Sequence, residues 1–482
     1  MRWRYVLRSI GALISCLGLT LILPIAFALA REEDSVPALL KALLLSIGLG
    51  MALFVVFRSE RVQVVTHREG MAIVALGWIG ACLVGALPFY FAGTFESFAD
   101  SVFESVSGFT TTGASVLKDI EKVPEGILLW RSLTHWLGGM GIIVFSLAVL
   151  PFLGVGGMQL YRAEVPGPVA DKLKPRIRDT AMILWKVYFI FSLVETILLM
   201  LGGMDLFEAL CHTFGTMATG GFSTKNSSVG HYGSVYIDVV ITVFMLIAGI
   251  NFALHYVALT GKPSALWRDP EFRFFACLIA VFILVTTASN YGSVYESLLE
   301  SLRYSAFQVV SIITTTGYAT ADYEKWPPLP QAVLLFCMFL GGCAGSTGGG
   351  MKCMRIMVLL KHVHVELMHL IHPRSVKHLK LGGRLVSEEI ARSIWGFFIL
   401  YLGLFIVSAF LLAGMGVDVV TSFAAVAATI GNIGPGLGEV GPMDNYAHLP
   451  DLAKLLLSLC MLLGRLEIYT VIVLFVPEFW RK

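Results

Sequence analysis

Four short turns carry the residues with chemistry to offer: Thr111-Thr112-Gly113, Thr219-Gly220-Gly221, Thr315-Thr316-Gly317 and Asn432-Ile433-Gly434. Their final glycines are 108, 96 and 117 residues apart, and the column two residues earlier reads Thr, Thr, Thr, Asn. The second and third turns continue alike, as Phe222-Ser223-Thr224 and Tyr318-Ala319-Thr320. A dehydrated alkali cation needs a ring of oxygens in place of its water shell, and carbonyls from four converging loops supply one. Glycine allows the backbone angles that point successive carbonyls one way. A single Thr-x-Gly says nothing. Four of them, once per repeat unit, point to a cation filter. In the fourth turn Gly431 competes with Gly434 for the equivalent position, which leaves its register open by three residues.

A second group of residues suggests an obstruction. The run from Gly341 to Gly350 holds Gly345, Gly348, Gly349 and Gly350 around Ser346 and Thr347. At about 1 kcal/mol per glycine relative to alanine, a helix does not persist there. An irregular loop within the membrane, below the filter, is predicted, and a gate is the role that fits it. Its likeness to a phosphate-binding loop is superficial, because Met351 displaces Lys352, Cys353 follows where Ser or Thr belongs, and no strand precedes it. Arg465 falls in the last apolar segment, where an unpaired charge is expensive and usually functional. It reads as a cation projecting into the pore beneath the filter. The competing role is a salt bridge to another helix.

The elements that must position these residues are apolar helices. The chain has 482 residues, 56% hydrophobic and 14% charged, against about 25% charged in soluble globular chains. Ten segments are long enough to span a bilayer, near 9–30, 38–57, 71–91, 126–150, 181–202, 236–260, 272–291, 330–360, 393–414 and 451–476. The first is too long for a signal peptide, whose apolar core is about 7–15 residues. The segments 1–8, 58–70, 158–180, 261–273, 361–392 and 477–482 hold 22 of the 35 Lys and Arg residues. That bias places them, and both termini, in the cytoplasm.

After two leading helices the other eight segments pair off around the stretches 92–125, 203–235, 292–329 and 415–450. Each stretch opens with a short apolar helix and reaches a glycine turn, the pattern of a re-entrant loop lining a watery cavity. The expected fold is an all-α polytopic membrane protein: a two-helix extension (1–70) and four parallel helix–pore loop–helix repeats (71–157, 158–271, 272–385, 386–482) around a central pore. The short helices would aim their partially negative C-terminal ends at the cation.

Eight cysteines without a CxxC pair indicate neither a disulfide framework nor zinc. A net charge of +2 gives no reason to expect a nucleic-acid partner. No HExxH, GxSxG or carboxylate cluster falls at membrane depth, so an enzyme is not expected. An acidic outer face (Glu32, Glu33, Asp34, Glu96, Asp100, Asp119, Glu121, Glu125, Asp322, Glu324 and Asp444) reads as solvated loop charge or as a vestibule that concentrates cations. Five histidines in 361–392 (His362, His364, His369, His372 and His378) read as a basic docking face for a partner or anionic lipid rather than a metal site. A Na⁺- or H⁺-coupled secondary cation transporter is the alternative, and Glu195 is its one plausible buried carboxylate.

With its pair-and-loop pattern, the GGCAGSTGGGMK stretch at 341–352 and the TIGNIGPGLGEVGP stretch at 429–442, the chain resembles the Trk/Ktr/HKT potassium-transporter superfamily, nearest its bacterial Trk membrane subunits of the TrkH type. The resemblance spans essentially the whole chain. It implies a potassium-permeable pore in the bacterial inner membrane, a homodimer, and a cytosolic nucleotide-binding TrkA ring. It implies no cofactor on this chain, with K⁺ as the transported ion and the filter as its only metal site. In plant relatives a serine at the first filter glycine goes with sodium preference, and Gly113 favours potassium.

Overall fold

The structure is a computed structural model that describes residues 1–58, 66–141, 177–373, 379–382 and 384–481. Residues 142–150 of the predicted 126–150 span, much of the basic 58–70 and 158–180 segments, the 157/158 boundary and His378 lie outside them. The chain is mostly helical. Its helices follow the apolar segments, because a backbone in hydrocarbon must satisfy its own hydrogen bonds.

Among the described residues six stretches are long and apolar enough to cross a bilayer: Trp3–Ala30, Val36–Val56, Arg68–Phe91, Asp179–Leu201, Pro270–Asn290 and Ile390–Gly414. Two bent helix pairs bring the number to as many as eight. The leading helices are α1 (Trp3–Thr20), α2 (Ile22–Ala30) and α3 (Val36–Val56). The next span begins at α4 (His67–Gly85), whose first turn is a capping box: Glu69 N donates to Thr66 Oγ1 at 3.3 Å, and Thr66 N to Glu69 Oε2 at 3.1 Å. Arg2 closes on the same carboxylate at 2.5 Å and ties the N-terminus to it.

The elements behind the four turns follow in order. The helix α5 (Leu87–Phe91) completes the span begun by α4, and α6 (Phe98–Phe109) and α7 (Glu125–Trp136) come next. Then come α8 (Ile177–Leu201), α9 (Leu206–Met217), α10 (Val235–Gly249) and α11 (Phe252–Leu259). The third set is α12 (Pro270–Asn290), α13 (Leu298–Ile313), α14 (Pro328–Cys337) and α15 (Cys353–Ile371). The last is α16 (Glu388–Gly414), α17 (Val419–Ile430), α18 (Asp451–Arg465) and α19 (Tyr469–Ile472).

Several predicted spans are not continuous. The 236–260 segment bends by 104° between α10 and α11, because Ile250 is extended and the Asn251 side chain caps a new helix by accepting from Ala253 N at 2.8 Å. The 451–476 segment bends by 114° beyond Arg465, where Glu467 adopts a left-handed φ of 56°. The 330–360 segment splits into α14 and α15 around residues 338–352, as its glycine content predicts. The α7 helix passes into a wide π turn at Leu137–Gly141.

The four short helices α6, α9, α13 and α17 are buried within protein over residues 103–109, 211–217, 307–313 and 424–430. Three are capped at the N-terminal end by a side chain that accepts a backbone N–H: Ser97 from Asp100, Asp205 from Glu208 and Asp418 from Thr421. The loops that return from them are pinned too. The fully buried Tyr323 hydroxyl donates to Gly436 O at 2.8 Å. Tyr323→Phe is expected to cost about 1 kcal/mol, read as a lower midpoint of thermal inactivation in detergent.

Candidate ion pathway

The four short helices end identically. Thr112 N donates to Ser107 O at 2.9 Å, Gly220 N to Gly215 O at 2.7 Å, and Thr316 N to Ser311 O and Ile433 N to Ala428 O at 2.8 Å. This is the six-to-one bond of a Schellman cap, which requires a left-handed residue just before the donor. Glycine usually fills that place. Here it is Thr111 (φ 53°), Thr219 (φ 55°), Thr315 (φ 63°) and Asn432 (φ 53°). Such backbone costs of order 1–3 kcal/mol per residue and persists only where the surroundings enforce it.

Two residues further on, Gly113, Gly221, Gly317 and Gly434 are left-handed as well, at 83°, 78°, 84° and 100°. Gly434 therefore holds the position equivalent to the other three. Gly431 is the right-handed C-cap of α17.

The turns spend their amides backward on their own helices. Among the described residues no hydrogen bond ends on the carbonyl oxygens of Thr111, Thr112, Thr219, Gly220, Thr315, Thr316, Asn432 or Ile433. The turns also meet one another in cyclic order. A Cβ on Gly113 would strike Gly220 O, one on Gly221 would strike Thr316 O, and one on Gly317 would strike Ile433 O. One on Gly434 would stand 2.7 Å from Thr112 O, which closes the circle. The structure thus brings all four predicted turns into a single ring of backbone.

The 341–350 run lies against this ring and is irregular. It is not loose. Gly349 N donates to Thr315 Oγ1 at 2.6 Å, and Cys343 N to Gly249 O at 2.9 Å. Thr347 Oγ1 reaches Met217 O at 3.0 Å and Ala248 O at 3.2 Å. The buried Glu271 carboxylate accepts from Ala344 N at 2.8 Å and Met354 N at 2.9 Å, tying the loop to α12 and to the start of α15. Lys352 Nζ donates back to Gly348 O. Gly345 and Gly350 take left-handed backbone, and the buried Ser346 hydroxyl has no partner among the described residues.

Arg465 is the last residue of α18 rather than the middle of a continuous span. Nη1 donates to Thr347 O at 2.6 Å, and Nη2 to Gly138 O at 2.7 Å and Gly139 O at 3.0 Å. Among the described residues it faces no carboxylate at ion-pair distance, and its neighbour Glu467 pairs with Arg355. The guanidinium therefore joins the loop to the π turn after α7. Glu195, on α8, is fully buried, and neither carboxyl oxygen reaches a donor among the described residues.

Parts of the acidic face expected to lie outside are structural. Glu33 accepts from Gly126 N, Asp119 pairs with Lys122, and Glu324 accepts from Gly438 N at 2.6 Å. Partial burial pushes the Glu324 carboxyl above its ordinary range. No group of His, Cys, Asp or Glu able to hold a metal ion occurs among the described residues. Reasoning from sequence missed Glu104, Arg131 and Glu271. Only Arg131 stands inside a predicted apolar span (126–150), the signal that singled out Arg465; Glu104 lies in the 92–125 stretch and Glu271 in the basic 261–273 segment.

The sequence profile of the TrkH family, described as cation transport protein, matches residues 36–482. The chain belongs to the TrkH family. It is 43% identical over 486 residues to the Trk system potassium uptake protein TrkH of Salmonella typhimurium, and 38% identical over 482 residues to TrkG of Escherichia coli K12. The alignment covers 100% of both chains for the first and 99% of both for the second. The crystal structure of the potassium transporter TrkH from Vibrio parahaemolyticus superposes with a TM-score of 0.90, at 37% identity and with both chains fully covered.

Proposed function

We propose that this TrkH-family chain is the membrane subunit of a bacterial Trk potassium-uptake system and passes K⁺ through a gated, channel-like pore. The observation that carries this reading is the closed ring of four turns, in which the carbonyls of the two residues before each final glycine meet no donor among the described residues. Oxygens so placed replace a cation's water shell, and the capped helices behind them direct their C-terminal ends to the same place. The relatives' names supply potassium as the ion.

With α7, the α14–α15 pair and the two bent pairs counted as crossings, the chain has ten transmembrane segments. Those after residue 70 form four parallel repeats around the pore, with boundaries at 71–157, 158–271, 272–385 and 386–482. The filter comprises Thr111, Thr112, Gly113, Thr219, Gly220, Gly221, Thr315, Thr316, Gly317, Asn432, Ile433 and Gly434. The segment 345–350 and Arg465 form the gate. The chain works as a homodimer in the inner membrane, with both termini cytoplasmic. A nucleotide-binding TrkA-type ring docks on its basic cytoplasmic segments, and the regulated loop is tied at one end to α15, which leads into the 361–392 face.

The test is flux through the purified protein in proteoliposomes, with K⁺, Na⁺ and choline compared. K⁺ is expected to lead, Na⁺ to follow and choline to be excluded. Choline flux equal to that of K⁺ would overturn the filter. Releasing the loop is expected to raise basal K⁺ flux severalfold: Thr347→Val keeps the volume and loses the hydroxyl bonds to Met217 O and Ala248 O. Lower flux from folded, dimeric protein would make the loop a support instead of a gate.

The buried Glu195 carboxyl, which meets no hydrogen-bond partner among the described residues, favours one second reading, uptake coupled to H⁺ or Na⁺. Under that reading Glu195→Gln abolishes the dependence of K⁺ uptake on a proton or sodium gradient. Under the pore reading wild-type uptake has no such dependence.

A further inference from the structure

The ring has four seams, and at three of them neutral groups make the strap nearest the turns, with more exposed charged contacts further out: Arg303 to Asp238, Glu324 to Gly438 N and Lys454 to Asp100. The Tyr318 hydroxyl donates to Phe222 O at 3.2 Å, the Tyr323 hydroxyl to Gly436 O at 2.8 Å, and Tyr446 N to Ser115 O at 2.8 Å. The seam between the first and second turns is different. Arg131 on α7 and Glu104 on α6 are 2% and 0% exposed, and Arg131 Nε donates to Glu104 Oε1 at 2.6 Å. Arg131 Nη1 reaches across to Ser223 O at 3.0 Å. Glu104 is held in turn by Ser115 Oγ and Val116 N, both at 2.9 Å, on the return from the first turn.

The same guanidinium lies 3.5 Å over the ring of Phe222, the residue after Gly221. His135, one helical turn along α7, stacks on that ring with centroids 4.0 Å apart and planes 16° from parallel. A Cβ on Gly220 would enter the His135 ring. Gly220 O is the oxygen that abuts Gly113, so the element that fixes one side of this seam is the Arg131–Phe222–His135 stack.

We propose that Glu104, Arg131 and Phe222 are positioning residues that set the width of the ring at its first seam and thereby the preference among alkali cations. This rests on the filter reading above. A buried ion pair is a poor device for stability alone, since apolar residues of equal volume often serve as well or better. Arginine's planar fork, by contrast, fixes two directions at once, one toward Glu104 and one toward Ser223 O. Cation discrimination depends on cavity size and carbonyl field, so a displaced Gly220 carbonyl is felt as altered preference.

The experiment compares K⁺ and Na⁺ flux in proteoliposomes for the wild-type chain, Arg131→Lys, Phe222→Leu and Gly113→Ser. Lysine keeps the charge against Glu104 but loses the fork. It is expected to lower the K⁺/Na⁺ ratio about tenfold, the worth of one charge-assisted hydrogen bond. Phe222→Leu keeps the ion pair, loses the stack, and shifts the ratio the same way by less. It decides alone if the lysine variant does not fold. A ratio moved by Gly113→Ser but by neither brace variant overturns the proposal and leaves the filter standing. The proposal falls equally if both brace variants lower K⁺ and Na⁺ flux in proportion. A ratio unmoved by all three removes the filter reading, and the proposal with it.

Discussion

A serine at Gly113 is expected to lower the ratio of potassium to sodium flux about tenfold. Gly113 has a φ of 83°, where an L-residue is strained, and a Cβ there would run into Gly220 O. The neighbouring turn must retreat, and the new hydroxyl competes with the carbonyls for the same space. One quadrant of the ring is distorted while three keep their geometry. Total flux is expected to fall as well, and the ratio is the quantity that discriminates. Flux in proteoliposomes measures it, with protein yield and dimer content as controls. A normal yield with an unchanged ratio would take this turn out of the filter.

Arg465→Ala is expected to raise basal cation flux about tenfold and to lower the thermal midpoint by a few degrees. The guanidinium makes three short bonds to carbonyl oxygens, one on the loop and two on the π turn. Bonds to a charged donor contribute about 1.5–3 kcal/mol each, so their loss registers as stability. It also frees Thr347 from the turn after α7 and, under the proposed gate, removes a positive charge from the ions' route. Because the partners are carbonyls, deleting the arginine strands no buried carboxylate among the described residues, and the fold tolerates it better than the loss of one member of a buried ion pair. Flux that falls along with the midpoint would leave Arg465 a structural brace alone.

The helices and turns were legible in the sequence for one reason each. Hydrocarbon imposes long apolar runs, so α3, α8, α12 and α16 could be placed to within a few residues. The Thr-x-Gly pattern was visible because a left-handed residue and a glycine must stand at fixed spacing. What the pattern hid was which position bears the strain. Thr111, Thr219, Thr315 and Asn432 take the left-handed cap position that glycine usually fills, and no propensity rule predicts a threonine there.

The bends at Ile250–Asn251 and after Arg465 were also hidden. Both interrupt strongly apolar runs, and what ends each helix is a local cap or a tertiary contact that hydropathy does not register. The fourth turn's register depended on α17 ending at Ile430, a boundary that composition alone does not set. Arg131 and Glu104 escaped because each sits in an otherwise ordinary helix, and only the folded chain reveals that they face one another.

The cyclic order of the four turns within one polypeptide has a consequence for symmetry. In a tetramer of identical subunits any specialisation is copied four times around the axis. Four loops the size of residues 341–350 would crowd into the space that one occupies here against the third and fourth turns. Four copies of Arg465 would converge as well. Joining unequal quadrants in a single chain removes that constraint: one quadrant carries the loop, another the arginine that holds it, and a third the charged seam. Departure from fourfold symmetry is what lets a ring of equivalent turns coexist with a single irregular loop on one side, and covalent linkage fixes which quadrant stands next to which.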